Sequence, residues 1–447
     1  MLQHNEYDLY SGTVLKKKGK MILLLFILVL SELIYAQVPS ADKLTLVNLS
    51  HLDHLYQEVE IEGQRMAIVH IYADFPDYRW ADAPGEGTAC VDDIARAAVV
   101  YLTHFNDTQE QSSLLKARAL VDFILYMQAP NGLFYNFVDA ELHINKERIN
   151  SRPQANWWTW RAAWALAEAI PCFSQHDIPY SLTLKRSIEK IYPAVDSLLS
   201  SYPTVIAKQG ISNPQWLPSA SAADQASVLL FALVSVYRHF PDADLYDRIR
   251  KLSEGIQIMQ LGSEGTPPYG AFLSWENLWH AWGNSQSCAL LLSGELLNDH
   301  NLTESALTEV RVFHPYLLAQ GFLNQFTIRI RENAYVMEDM QRYSQRAYDI
   351  RPLVWANLQA WEVSGSEDYA RQGGEIACWF LGKNAAGKFI YDPETGRCFD
   401  GLDDDKKINR NAGAESTIEA LLTMQKVIKN PLAYSIVSNY CKMSGMK

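Results

Sequence analysis

The chain alternates polar clusters with long runs of small and apolar residues, and it does so six times. The runs are Cys90 to Leu102, Trp157 to Ala169, Ala222 to Tyr237, Trp282 to Leu296, Ala347 to Trp361 and Asn411 to Gln425. Aligned on Arg96, Arg161, Ser227, Ser287, Arg351 and Ser416, they recur at steps of 65, 66, 60, 64 and 65 residues. A fixed period of this kind marks a repeat architecture. Each period is long enough for two helices and two loops. Between the runs lie segments with apolar residues at helical spacing and a polar face: 113–128, 180–200, 244–260, 303–320 and 367–381. A last one, 431–442, starts on Pro431, where a missing N–H costs little. The pattern predicts an all-α fold, an (α/α)6 toroid in which six helical hairpins close into a ring.

The loops that lead into the inner helices combine Gly with aromatic residues at 131–138, 210–219, 267–275, 321–326 and 387–402. Gly beside β-formers predicts tight turns and short β-hairpins. All five precede an inner helix, so they are expected to rim one mouth of the ring. Three regions follow: residues 1–36 as a signal peptide or N-terminal anchor, 37–84 as a lead-in segment, and 85–447 as the toroid. The lead-in carries a short helix and then an alternating stretch, Met66 to Tyr72, that reads as a strand. In the first region Lys16 to Lys18 and Lys20 precede the apolar stretch Met21 to Leu30, with Ala36 as a small residue at a cut before Gln37. This is the layout of a secretory signal. The expected location is periplasmic or secreted, with membrane contact only through that segment if it stays uncleaved.

A net charge of −12, with no basic block after residue 20, argues against nucleic acid, which needs clustered Lys and Arg. Apolar residues at 48% allow a large core. The cysteines at 90, 172, 288, 378, 398 and 441 form no CxxC pair and no zinc-ligand pattern with His, so buried small hydrophobes are the favoured reading. No metal and no cofactor is expected.

The segments before the inner helices are rich in carboxylates and aromatics: Asp92 and Asp93, Trp157, Trp275 and Glu276, Tyr348 and Asp349, Asn411 and Glu415. Rings stack on the apolar face of a pyranose while carboxylates accept hydrogen bonds from its hydroxyls. Bland readings stand beside these. A single Asp at such a position is more often an N-cap. Asp93 and Arg96 at i, i+3 are as well explained by an ion pair. Glu276 could be a capping acid, and His280, read on an apolar helix, a satisfied core residue. Ring closure sharpens the picture, because the first and last inner helices become neighbours. Asp92 and Asp93 are then expected near Asn411 and Glu415, with Asp349 and Arg351 on the helix next door. Like charges held close push their pKa values apart, which makes one an acid and another a base.

The chain resembles the (α/α)6 toroids of the six-hairpin glycosidase superfamily over about residues 85 to 445. DDIARA (Asp92 to Ala97) and GAEST (Gly413 to Thr417) also resemble toroid modules that accompany bacterial polysaccharide-processing enzymes. The resemblance implies an exported carbohydrate-active enzyme acting on an oligosaccharide or polysaccharide, with a glycoside hydrolase as the leading expectation. The geometric argument selects Glu415 and Asp93 as the acid/base pair, with Asp349 as the alternate. Arg96 and Arg351 would tune them or bind an acidic sugar, Trp157, Trp275 and Tyr348 would serve as sugar platforms, and Asp92, Glu276 and Asn411 would contact the substrate. A lyase or epimerase on uronate sugars, drawing on Tyr343, Arg346, Tyr348 and Arg351, is the second expectation. A non-catalytic carbohydrate-binding toroid is the third.

Overall fold

Each inner helix is small or apolar on every side because it is covered on every side. In the computed structural model, which describes residues 44–175 and 177–443, the inner helices are α2 (Val91–Thr108), α4 (Trp157–Ser174), α7 (Ala223–His239), α9 (Gln286–Leu297), α12 (Ala347–Ser364) and α14 (Ala414–Lys429). Neighbours pack in sequence, α2 on α4, α4 on α7, α7 on α9, α9 on α12 and α12 on α14. The ring closes where α14 returns to α2. Gln425 seals this seam by donating to the Val100 carbonyl at 2.9 Å.

The outer helices bury only a stripe. In α8 (Ala243–Ile258) it is Leu245, Ile249, Leu252 and Ile256. The others are α3 (Gln111–Tyr126), α5 (Ile178–Glu189) with α6 (Tyr192–Leu199), α10 (His300–Thr308) with α11 (His314–Ala319), α13 (Glu367–Ala377) and α15 (Pro431–Met443). Inner and outer helices are joined by tight turns. Gln109, Asn298 and Gly365 end α2, α9 and α12 in the left-handed conformation, which caps orphan carbonyls and reverses the chain. Asp242 and Asp299 then start the next helix by accepting first-turn N–H bonds.

Two outer segments expected as single helices are broken. Pro193 has no N–H for the carbonyl four residues back, so 180–200 splits into α5 and α6. Segment 303–320 passes through a π-helical turn, Glu309–Phe313, before Pro315 in α11. That turn carries Glu309, which is 1% exposed, accepts from the Phe272 N–H at 2.8 Å and pairs with the Ser287 hydroxyl. Burial raises its pKa from 4.5 to about 7. The folded state therefore holds this proton where the unfolded state has lost it, and stability falls as pH rises from 4.5 to about 7. Glu309→Gln removes the titration. Urea unfolding at about pH 5 and about pH 8 should show the variant gaining about 2–3 kcal/mol on the parent between the two. An unchanged difference would contradict the buried acid.

The lead-in residues fold onto the seam. Helix α1 (Ser50–Leu55) is followed by the hairpins Tyr56–Ile61/Gln64–Val69 and Tyr72–Asp74/Arg79–Ala81. Tyr101 of α2 donates to Asp53 at 2.6 Å, and His51 bonds the Ala412 carbonyl at 2.8 Å, so this segment ties the first hairpin to the last. The strand expected over Met66 to Tyr72 is observed at Gln64–Val69. The described residues from 46 onward form one compact unit, which includes much of the lead-in segment. The Gly-aromatic loops form small antiparallel sheets of two or three strands. The largest joins Leu278–His280 to the hairpin Gln325–Arg331/Ala334–Gln341, longer than the short turns expected. His280 therefore lies on a strand and not on a helix, because α9 begins only at Gln286, after the turn at Gly283. All six cysteines are buried thiols. Among the described residues no helix is long and apolar enough to cross a membrane. The signal reading, residues 1–36, lies outside the described residues.

Candidate active site

At the N-terminal ends of the inner helices, one arginine gathers the acids of both chain ends. Arg96, on the second turn of α2, is 1% exposed. Its Nη2 donates to Asp93 Oδ1 at 2.6 Å and to Glu415 Oε2 at 3.0 Å, and reaches Asp92 Oδ2 at 3.4 Å. Its Nη1 donates to Glu419 Oε1 at 2.8 Å, and Arg351 Nε holds the other oxygen of Glu419 at 2.6 Å. The proximity of Asp92 and Asp93 to Glu415 follows from ring closure, as the repeat count predicts. Carboxylate oxygens of the three acids lie within 4.8 Å of one another. The positive charge among them is supplied by Arg96 and by Arg161, which pairs with Asp92.

The acids differ in surroundings. Glu419 is fully buried; burial alone would raise its pKa, but Arg351 and Arg96 outweigh it and hold it at about 2. Glu415 sits one turn nearer the mouth and opens on a cavity, with 41% of its side chain exposed. Its pKa rises to about 7, first because protein walls displace its water; Arg96 pulls it back down, and the charge of Asp93 opposes that pull. Two glutamates on one helix face are thus pushed to opposite sides of the ordinary range.

The cavity measures about 300 Å³, the lower end of the range for small-molecule sites. It is bordered by Asp92, Glu415, Tyr348, Arg346, Asp400 and Tyr72, among others. Backbone contacts set the position of Glu415. The Ala414 N–H bonds the Ile71 carbonyl at 2.9 Å, the Ala412 N–H bonds the Ala73 carbonyl at 3.0 Å, and a Cβ on Gly413 would meet the Ile71 oxygen at 2.4 Å. The lead-in hairpin can lie this close to the start of α14 only because residue 413 is Gly. Asp400 accepts from the Ser416 hydroxyl at 3.0 Å, and burial raises its pKa to about 6. Burial, then the charges of Glu415 and Asp349, also push the Tyr348 phenol up, so it stays a hydrogen-bond donor.

The structure separates the other sequence-selected residues. Asp93 turns inward: it is 4% exposed, and its second oxygen accepts from the Cys90 thiol at 3.3 Å. Asp92 is the member of the pair with the more open carboxylate. Asp349, 2% exposed, is the capping acid of α12: from the third helical position it accepts the Arg346 N–H at 2.7 Å, so a capping role accounts for it. Arg351 is buried against Glu419 and does not border the cavity. Asn411 accepts the Phe75 N–H at 3.1 Å and acts as scaffold. Trp275 and Glu276 stand on another part of the rim, where Trp275 donates to the Ser219 carbonyl at 3.2 Å and Glu276 pairs with Lys208. Trp157 lies beneath the Arg161 guanidinium at 5.2 Å and meets Trp282 at a tilted 6.2 Å, and it is not part of the cavity wall.

Sequence reasoning missed Asp400, Asn136 and Glu86 on the cavity wall. Asp400 lies in the Gly387–Leu402 loop, whose Gly and aromatic residues signalled a turn but not its direction. His280 was set aside as a lone histidine; it bonds Asp224 at 2.9 Å and stacks on Trp282 at 3.4 Å.

No protein-family profile matches the chain, and no curated protein matches it by sequence. Solved structures do. The cellobiose 2-epimerase of Bacillus thermoamylovorans B4167 superposes with a TM-score of 0.58 at 11% identity, over 85% of this chain and 96% of that one. A family 76 glycoside hydrolase from a bovine Bacteroides thetaiotaomicron strain gives 0.55 at 10% identity, over 87% and 79%. An inactive variant of an α-1,6-mannanase of Salegentibacter sp. HEL1_6, in complex with α-1,6-mannotriose, gives 0.51 at 10% identity, over 80% and 92%. With its six hairpins closed through the α14–α2 seam, the chain shares the (α/α)6 toroid fold of these solved structures.

Proposed function

We propose that this protein is an exported glycoside hydrolase acting on an oligosaccharide, with Glu415 as the proton donor and Asp92 as its carboxylate partner. The observation that carries the reading is Glu415: a carboxyl open to the cavity, with a pKa of about 7, beside a second acid and above a third, Glu419, held at about 2. Leaving-group protonation needs a carboxyl that keeps its proton near neutral pH. Its partner must be reachable, which favours Asp92 over the buried Asp93. The inactive variant of the Salegentibacter mannanase likewise carries Asp-to-Asn replacements at two adjacent positions. Tyr348 and Tyr72 supply ring faces and hydroxyls for a sugar, and Asn136 supplies an amide. The signal-like pattern of charged and apolar residues within residues 1–36 supports export.

The test is turnover of neutral oligosaccharides, α-1,6-mannotetraose, cellobiose and xylotetraose among them, followed by chromatography of the products. On a cleaved substrate, kcat/KM is expected to fall as pH rises through about 7, because the general acid loses its proton there. A profile flat from about pH 6 to about pH 8.5 would remove Glu415 from that role.

An epimerase or lyase is the second reading, favoured by Arg346 and Tyr348 on the cavity wall. It predicts an isomerised sugar, or an unsaturated product that absorbs in the near ultraviolet, in place of shorter chains. Five carboxylates on that wall, Glu86, Asp92, Asp93, Asp400 and Glu415, against one arginine make an anionic sugar the less favoured substrate.

A further inference from the structure

The ring has a second concavity at its far end, where the inner helices finish. Three aromatic side chains, Trp164, Phe231 and Trp355, meet across the interior with centroids 5.6, 5.9 and 6.2 Å apart. Arg351, one turn nearer the mouth, covers one side of Trp355 at 4.9 Å. The aromatic layer thus divides the ring interior into a mouth and a far chamber. The far chamber consists of two adjoining hollows of about 130 and 340 Å³ that share Glu168, Arg238, Thr103, Leu292 and Trp355.

The charges there are unevenly answered. The rim cations each have their own carboxylate: Arg238 with Glu295 at 3.5 Å, Lys426 with Glu362 at 2.6 Å and Lys429 with Asp107 at 2.9 Å. Glu168 is different. It is bonded by the neutral donors Ser235 and Trp164, while Arg238 and His239 act on it through charge alone, and Arg238 is already paired with Glu295. The six inner helices also aim their C-terminal, partially negative ends toward this chamber. A half-buried carboxyl, aromatic faces and negative helix ends together attract a cation, and the aromatic layer favours one with alkyl groups over a bare ion.

We propose that the far chamber is a second ligand site, separate from the mouth, that binds a small organic ammonium ion between Glu168 and the faces of Trp355 and Phe231. Its chemistry does not depend on what the mouth does.

The test is calorimetric titration of the full chain with tetramethylammonium and benzylammonium. It is run at about pH 8 because burial raises the Glu168 pKa and binding requires the ionised form. Saturable binding with a Kd of about 1 mM or tighter is expected. Glu168→Gln should weaken it at least about tenfold, the loss of the charge partner. Trp355→Phe, which keeps an aromatic ring should Glu168→Gln fold poorly, should weaken it several-fold. Glu415→Gln, at the mouth, should leave it unchanged. The site is refuted by no saturable binding up to about 20 mM, by equal affinity in Glu168→Gln, by loss of binding in Glu415→Gln, or by equal binding of acetate.

Discussion

Glu415→Gln is expected to lower kcat by about 10²–10⁴-fold on any substrate the protein turns over, while substrate binding persists. The amide keeps the size of the side chain and removes the proton that burial and Asp93 hold at a pKa of about 7. The fold should survive, because the side chain is partly exposed and Arg96 retains Asp93 and Glu419. Asp92→Asn, at the partner position, should reduce kcat by a comparable factor, whereas Asp349→Asn should act mainly on stability through the cap of α12. Measuring kcat and KM separately for the three variants decides the matter. If Glu415→Gln kept more than about a tenth of parental kcat, the proton donor would have to be sought elsewhere, with Asp400, at a pKa of about 6, next in order.

The second large effect concerns folding. Arg96→Met should destabilise the protein by about 3–5 kcal/mol, the usual cost of leaving a buried charge without its partner. Arg96 touches carboxylates on α2 and α14, so its loss leaves Asp93 and Glu419 facing each other across the seam with only Arg351 to offset Glu419. The cost should fall when Glu419→Gln is added, since the double change removes a cation and an anion together. A double-mutant cycle in urea reads this coupling directly. Additive effects would mean that the seam is held by the packing of α2 on α14 and not by the ion network. Arg96→Met should also push the Glu415 pKa further up, because Arg96 is the foremost group holding it down.

These two experiments bear on residues of unequal legibility. The architecture could be read in advance because burial on all sides leaves a mark in the sequence: the six runs are long, periodic and dominated by small and apolar residues. Arg96, Arg351 and Glu419 are buried charges within those runs that balance one another, and each is legible only once the partner helix is known. The outer helices were read less well at Pro193 and Pro315, where a backbone restriction overrides a continuous apolar stripe. His280 was misplaced on a helix because Trp282 to Ser285 carry helical composition but turn at Gly283.

The sequence by itself determined the number of hairpins, their order and the meeting of the first inner helix with the last. These depend on apolar spacing along one dimension and on the arithmetic of closing a ring. It also determined that Asp92, Asp93 and Glu415 share one place. Only the tertiary structure decided which of those acids a substrate could reach. Successive residues at a helix start point roughly 100° apart, so Asp93 turns into the Arg96 network while Asp92 faces the cavity. Nor could composition assign the opposite pKa values of Glu415 and Glu419, since both are glutamates on one helix face. The difference comes from arginines and cavity walls delivered by segments more than 60 residues away in the chain, and desolvation and charge act through space.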